Sequence, residues 1–236
     1  MRSFQKRDPP FENAPRDDRS STNEPNRVED DRDTSLAKLE LSRAFPAQAL
    51  APYDPLFFEE VLVHGQNPAL HTNVAHFTSV PLATGERMYT VEQFRDLFEA
   101  RAVNIAQPDC SHAGGVSSLL TIARMAEAYE VAFAPHCPLG PIALAACLQV
   151  DACAINFCFQ ETSLGIHYND EGGMDLLDYV ANKDAFDVDA EGYIKTLSSP
   201  GLGVVVDEAA VREAAKRGHD WSDRGWTLPD GAPTTW

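Results

Sequence analysis

Polar residues that close short apolar runs recur along this chain at one nearly constant interval. The stretch Asn104–Ala146, NIAQPDCSHAGGVSSLLTIARMAEAYEVAFAPHCPLGPIALAA, reads as strand, turn, helix, strand, turn, helix. Asp109 ends the first strand in AQPD, and His136 ends the second in APHC. Comparable runs end at LFFEE (Glu59, Glu60), PLATGE (Glu86) and INFCFQE (Glu161). From Glu59 through Glu86, Asp109 and His136 to Glu161 the gaps are 27, 23, 27 and 25 residues, the length of one β/α unit. The intervening sequences differ, so the period is structural and not a solenoid repeat.

Helical patterns fill the gaps. Val91, Phe94, Leu97 and Phe98 recur at helical spacing after Thr90, an N-cap residue type, and Leu119, Ile122, Ala123, Ala126 and Tyr129 do so after a Gly-Gly start. In a wound β/α fold all strands are parallel, and their C-terminal ends open on one face. The expected fold is therefore α/β, a partial (β/α) TIM-type barrel of about five C-terminal β/α units, with its polar residues at the rim where barrel active sites sit. A closed barrel needs eight strands. The strands not supplied here leave a parallel edge open, and such an edge invites association, a homo-oligomer included.

The ends of the chain read differently. Residues 1–35 hold 16 charged side chains, 7 basic and 9 acidic, and almost no aliphatics. Such a segment cannot bury enough apolar surface to fold alone, so disorder is expected. Residues 36–54 suggest a helix interrupted near Pro46. The division is a disordered segment 1–35, a partial barrel 36–190, and a C-terminal segment 191–236 in which LGVVVDEAAV reads as a strand running into a helix.

Charge and composition exclude several classes. A net charge of −17 argues against nucleic-acid binding, which needs a basic face. No apolar run reaches membrane-spanning length, so no membrane partner is expected. The N-terminus carries acids and no h-region, which argues against secretory or mitochondrial targeting. The five cysteines form no CxxC and read as buried, reduced thiols, which suits a cytoplasmic location.

The rim residues suggest a chemistry. A carboxylate beside an imidazole, as Asp109 and His136 can be at neighbouring strand ends, makes a general base. Glutamates supply the hard oxygen ligands that Mg²⁺ prefers. Each also has a plainer use: a strand-end glutamate is often just solvated, Glu60 could take the place of Glu59, Asp109 could cap the following helix, and His136 could be a structural histidine. His112, His167 and Tyr168 lie on strand-end loops and are candidates for substrate contact.

In this order and spacing, GERM, QPDCSHAGG, APHCPLGPIALAA, QETSLGIHYN and PGLGV resemble the C-terminal part of the D-galactonate dehydratase family, in the mandelate racemase branch of the enolase superfamily. The resemblance runs from about Pro55 to Trp236. It implies a capping domain and a barrel in the full family chain, with a C-terminal segment that returns to the cap. It implies a Mg²⁺ cofactor with Glu59 and Glu86 as two ligands, Asp109 and His136 as the base dyad, and Glu161 hydrogen-bonding the substrate carboxylate as it becomes an enediolate. The implied substrate is a small sugar acid, D-galactonate, which loses the proton next to its carboxylate and then its 3-hydroxyl to give a 2-keto-3-deoxy acid. The family's third metal ligand and its acid for the departing hydroxyl lie in a D-F-H-G-R motif on the preceding strand. No such motif occurs in this sequence; Asp33 stands near the expected spacing, but in DRDTSLAK, with no histidine and no strand pattern. The proline expected after FFEE is replaced by Val61. The alternative reading is a truncated or non-catalytic family member that retains part of the site.

Overall fold

The computed structural model describes residues 49–62, 67–164 and 176–216, together with 226–227, 231 and 233–234. The expected disorder of residues 1–35, most of the helix expected over 36–54, Asp33, His167 and Tyr168 lie outside the described residues. Within 36–54 the described part holds the α-helical residues 49–50, followed by a 3-10 turn, Ala51–Tyr53.

Four short strands, β1 (Phe58–Glu59), β2 (Leu82–Thr84), β3 (Ile105–Ala106) and β4 (Ala132–Phe133), lie side by side in chain order. All are parallel, in the registers Phe58↔Leu82, Ala83↔Ile105 and Ile105↔Ala132. A fifth position follows, where Phe133 forms a single parallel bridge with Phe157. Between strands run α1 (Pro68–Ala75), α2 (Val91–Glu99), α3 (Val116–Ala128) and α4 (Pro141–Asp151). A parallel sheet in sequential order with a helix between neighbours is the α/β, barrel-type arrangement expected from the period.

Local chemistry explains the boundaries. Thr90 and Gln93 form a full capping box at the start of α2, satisfying two backbone donors that the first turn would leave open. Asn67 accepts from the N–H groups of Ala69 and Leu70 to start α1. Beyond α2 and α3 the chain turns at Arg101 (φ 51°) and Glu130 (φ 59°), left-handed positions that glycine usually takes. Phe94, Leu97, Phe98, Leu119, Ile122, Ala123 and Ala126 are buried as the helical spacing predicts. Tyr129 departs from that pattern: it is the C-cap of α3 and is exposed.

Side-chain amides bolt the units together. Asn104 Oδ1 accepts from Leu82 N at 2.9 Å, while its own N–H donates to Leu82 O. Asn156 Nδ2 donates to Ala123 O and Val131 O, tying the fifth position to α3 and to the start of β4.

The inner face of the sheet carries Ala83, Ile105 and Ala134, with Phe57, Ala132 and Phe159 against them. The rings of Phe57 and Phe159 stack, with centroids 5.4 Å apart. These residues flank the first strand and the fifth. Four flat inter-strand steps would separate those strands by roughly 19 Å. Only a sheet curled toward a barrel brings its inner side chains into contact.

The C-terminal region differs in detail from expectation. LGVVVDEAAV forms no strand; Val206 makes one antiparallel bridge with Val180, and α5 (Glu208–Ala215) then starts on the N-cap Asp207. Ile194, Leu197, Leu202 and Val204 pack on the core formed by α3, α4 and β4, and Gln149 of α4 donates to Leu197 O. Two two-residue strands, β5 (Trp226–Thr227) and β6 (Pro233–Thr234), pair antiparallel. Among the described residues no helix is long and apolar enough to cross a membrane.

The cysteines also divide. Cys110, Cys137 and Cys147 are buried in one cluster, but Cys153, on the turn after α4, and Cys158, next to Phe157 in the fifth strand position, are exposed. Hydrogen bonding with Cys110, then with Cys137, together with burial, pushes the Cys147 thiol up and keeps it protonated.

Candidate active site

The strand-end residues gather at one end of the curled sheet. Past β3 and β4 the two chains stay parallel long enough for Asp109 and His136 to form a backbone bridge. Their side chains meet there, with His136 Nδ1 2.8 Å from Asp109 Oδ2. Asp109 is buried. It does not cap α3, whose N-cap is Gly115 without a side-chain bond; instead its Oδ1 accepts from Ser111 N at 2.6 Å.

Electrostatics reinforce this pair. Burial of the Asp109 carboxyl works against its charge, but hydrogen bonds from His136 and from the Ser111 N–H outweigh it and hold the group below its ordinary range. Burial likewise opposes charge on His136, yet the bond to Asp109 and the nearby charges of Glu161 and Glu86 raise it above the ordinary imidazole value. An ionised Asp109 on Nδ1 fixes the ring and leaves Nε2 facing the site.

Glu86 follows β2 through Gly85, which sits at φ +147°. A Cβ on Gly85 would lie 2.8 Å from the Gln107 carbonyl carbon and 2.9 Å from a Phe94 ring atom, so the close approach of β2 to β3 requires glycine here. From that bend Glu86 Oε2 reaches His136 Nε2 at 3.3 Å, and its Oε1 takes a bond from Arg87 Nε at 3.3 Å. Glu161 comes from beyond the fifth strand position, and its Oε2 accepts from Cys137 N at 2.9 Å, beside His136.

The two adjacent glutamates after β1 part company. Glu60 has φ +46°, a left-handed position rarely held by a non-glycine residue, and such outliers cluster at functional sites. The turn swings its carboxylate onto Thr84 Oγ1 and Gly85 N, with Arg87 Nε 3.8 Å from its other oxygen. Glu59 instead points along the inner face, where Gln107 Nε2 donates to its Oε1 at 2.7 Å. Partial burial raises the Glu59 pKa, with the charges of Glu161 and Glu86 adding to it against the bond from Gln107.

Thus Asp109, His136 and Glu86 are in direct contact, Glu161 stands beside them on the Cys137 N–H, and Glu59 is bonded to Gln107, two residues before Asp109. His112 stands at the rim: its Nδ1 lies 3.1 Å from Glu86 O, and its ring lies 6.5 Å from that of His136 and 5.9 Å from Tyr89. The sequence reading missed Gln107, Thr84 and Arg87. Alternation along β3 carried a signal for Gln107, since it lies two residues before Asp109 and shares its face.

The oxygen set suits a divalent cation in its chemistry. Repulsion of the Glu59 charge by Glu161 and Glu86 is a condition that a bound cation relieves, and Gln107 Oε1 is buried without a partner. Mg²⁺ is commonly held by one or two carboxylates with waters completing its shell. Among the described residues no three His, Cys, Asp or Glu side chains form a group able to hold a metal ion.

Comparison with known proteins follows the same lines. The family model described as Enolase C-terminal domain-like matches residues 41–210. D-galactonate dehydratase of Variovorax paradoxus is 51% identical over 189 residues, which cover 80% of this chain and 48% of that protein. The Klebsiella pneumoniae D-galactonate dehydratase is 49% identical over 187 residues, 79% of this chain and 48% of that protein. The chain therefore spans about half the length of these relatives. A crystal structure of an enolase from Agrobacterium radiobacter, with bound Na and L-malate, superimposes with a TM-score of 0.69 at 33% identity, covering 82% of this chain and 50% of that one.

Proposed function

The chain belongs to the enolase C-terminal domain-like family, and within it we propose that it acts as a sugar-acid dehydratase of the D-galactonate type. The carrying observation is the 2.8 Å contact of Asp109 with His136, which leaves the second imidazole nitrogen turned into a carboxylate-lined site.

The substrate's α-proton is weakly acidic, because its removal places a second negative charge on the carboxylate end. His136 Nε2 takes this proton, while Asp109 keeps the ring in the required tautomer and stabilises the imidazolium that forms. Glu161, whose Oε2 accepts from the Cys137 N–H beside His136, would hydrogen-bond the substrate's carboxylate end as the protonated acid, since two carboxylates have no proton to share. Glu59 and Glu86 would hold a Mg²⁺ ion, whose Lewis acidity offsets that developing charge. Release of Glu86 from His136 Nε2, with loss to solvent of any proton the two share, frees the nitrogen that receives the substrate's proton. Loss of the 3-hydroxyl, which takes up a proton and leaves as water, gives a 2-enol, and its tautomerisation, with a proton added at C3 and the 2-hydroxyl proton lost, gives the 2-keto-3-deoxy acid. Similarity to the two D-galactonate dehydratases supports the substrate class, and L-malate in the Agrobacterium enolase is likewise a hydroxy acid.

A second reading rests on the missing D-F-H-G-R motif. Without that aspartate and histidine the chain would abstract the proton but not assist hydroxyl departure, or would not act as a catalyst. Incubation with D-galactonate and Mg²⁺ in D₂O separates these outcomes. Deuterium entering at C2 together with 2-keto-3-deoxy acid supports the dehydratase. Deuterium without keto acid supports the second reading, and neither product, in a folded chain that binds Mg²⁺, overturns the proposal.

A further inference from the structure

Gln107 has a geometry that the base dyad does not explain. It lies on the extension of β3 toward Asp109 and is 4% exposed. Its amide reaches Glu59 at the end of β1, although β2 lies between those strands. Two features of β2 open this route. Glu59 is paired with Ala83, whose side chain is small, and the next residue on that face is Gly85, which has none. A side chain at Gly85 would itself strike the Gln107 backbone. The bond therefore crosses the inner face of the sheet through space that β2 leaves empty.

The polarity of the amide is fixed by its partner. An ionised Glu59 accepts hydrogen bonds and cannot donate, so Nε2 faces the carboxylate and Oε1 is turned away. That oxygen is buried and has no partner. A buried acceptor of this kind, beside a group of carboxylates, calls for a donor brought by a ligand, such as a water held by a cation.

We infer that Gln107 is a positioning residue for the divalent-cation site: Nε2 presents Glu59 to the ion, and Oε1 takes a hydrogen bond from a water or substrate hydroxyl held there. The inference rests on the proposed role of Glu59 as a ligand. Partners that orient a metal ligand typically contribute about 10–100-fold to metal affinity.

The experiment is a Mn²⁺ titration followed by electron paramagnetic resonance on the full chain, in wild type, Glu59→Gln, Gln107→Met and the double variant, each checked by thermal melting. Wild type should bind. Glu59→Gln and Gln107→Met should each weaken binding by about 10-fold or more. The double variant should be no weaker than Glu59→Gln, because an amide that acts through Glu59 has nothing left to orient. A purely structural glutamine would give independent, additive losses, and that result overturns the inference. Wild-type affinity in Gln107→Met with weakened Glu59→Gln also overturns it and leaves Glu59 as a ligand. Wild-type affinity in Glu59→Gln removes the premise instead. Should Gln107→Met fail to fold, the wild-type side-chain amide resonances of Gln107 serve in a Mg²⁺ titration: they should shift, and unchanged resonances at saturating Mg²⁺ overturn the inference.

Discussion

Asp109 and His136 are joined twice, by a parallel backbone bridge and by the 2.8 Å contact of Oδ2 with Nδ1. The bridge fixes the spacing of the two strand ends, so the side chains meet with little freedom left to lose. Asp109→Asn keeps the shape but replaces a fixed acceptor with an amide that can present its donor to Nδ1. His136→Gln removes the base. Deuterium uptake at C2 of D-galactonate, read by NMR, should fall by about 10²–10⁴-fold in His136→Gln and by about 10²-fold in Asp109→Asn. Unchanged uptake in either variant would remove that residue from the base.

Hydroxyl loss should lag behind proton abstraction. A positioned acid contributes about 10²–10⁴-fold, and the motif that carries it in the resembled family is absent from this sequence. Keto-acid formation by the 236-residue chain should therefore be slower than its C2 exchange by about 100-fold or more. Equal rates would mean that another residue protonates the leaving group, and His112 at the rim would be the first to replace.

Gly85→Ala tests whether the site depends on close approach of β2 to β3. The added methyl would meet Gln107 backbone at 2.8–2.9 Å, which neither strand can relieve by a side-chain rotation. Overpacking of this kind costs about 1–3 kcal/mol. Urea unfolding should show that loss, and Mn²⁺ affinity should drop with it, since Glu86 and Gln107 flank the glycine. Full stability in Gly85→Ala would contradict the packing described.

Asp151 gives the expected pH dependence of stability. At the end of α4 it is buried, both carboxylate oxygens lack partners, and burial pushes its pKa up to about 8. The folded state thus binds a proton that the unfolded state releases near its ordinary value of 3.8. Folded protein holds more protons between those values, so this group lowers stability as pH rises from about 4 to about 8, with a plateau above. Asp151→Asn should flatten that slope and raise the melting temperature at about pH 8 and above, by several degrees if about 2 kcal/mol is recovered. A slope unchanged by the substitution would mean that Asp151 has found a partner.

The alternation of apolar runs, helical spacing and strand-end acids made the parallel α/β architecture legible from the sequence, together with the caps at Thr90 and the placement of Asp109 and His136. Less legible were features that depend on contacts between distant residues. LGVVVDEAAV has strand composition, yet without a neighbouring ladder it forms one bridge before α5. Cys153 and Cys158 have apolar neighbours in sequence, yet both are exposed, Cys153 on the turn after α4 and Cys158 beside Phe157 in the fifth strand position.

The sequence by itself determined the period, and with it which residues stand at strand ends, because backbone geometry converts spacing into position. Only the tertiary structure decided what those residues touch. FFEE offers two adjacent glutamates that alternation alone cannot assign, and the left-handed turn at Glu60 sends it to Thr84 and Gly85 while Glu59 meets Gln107. That choice depends on the curl of the sheet and on the space left by Ala83 and Gly85. Both arise from packing between units some 25 residues apart, and no local pattern encodes them.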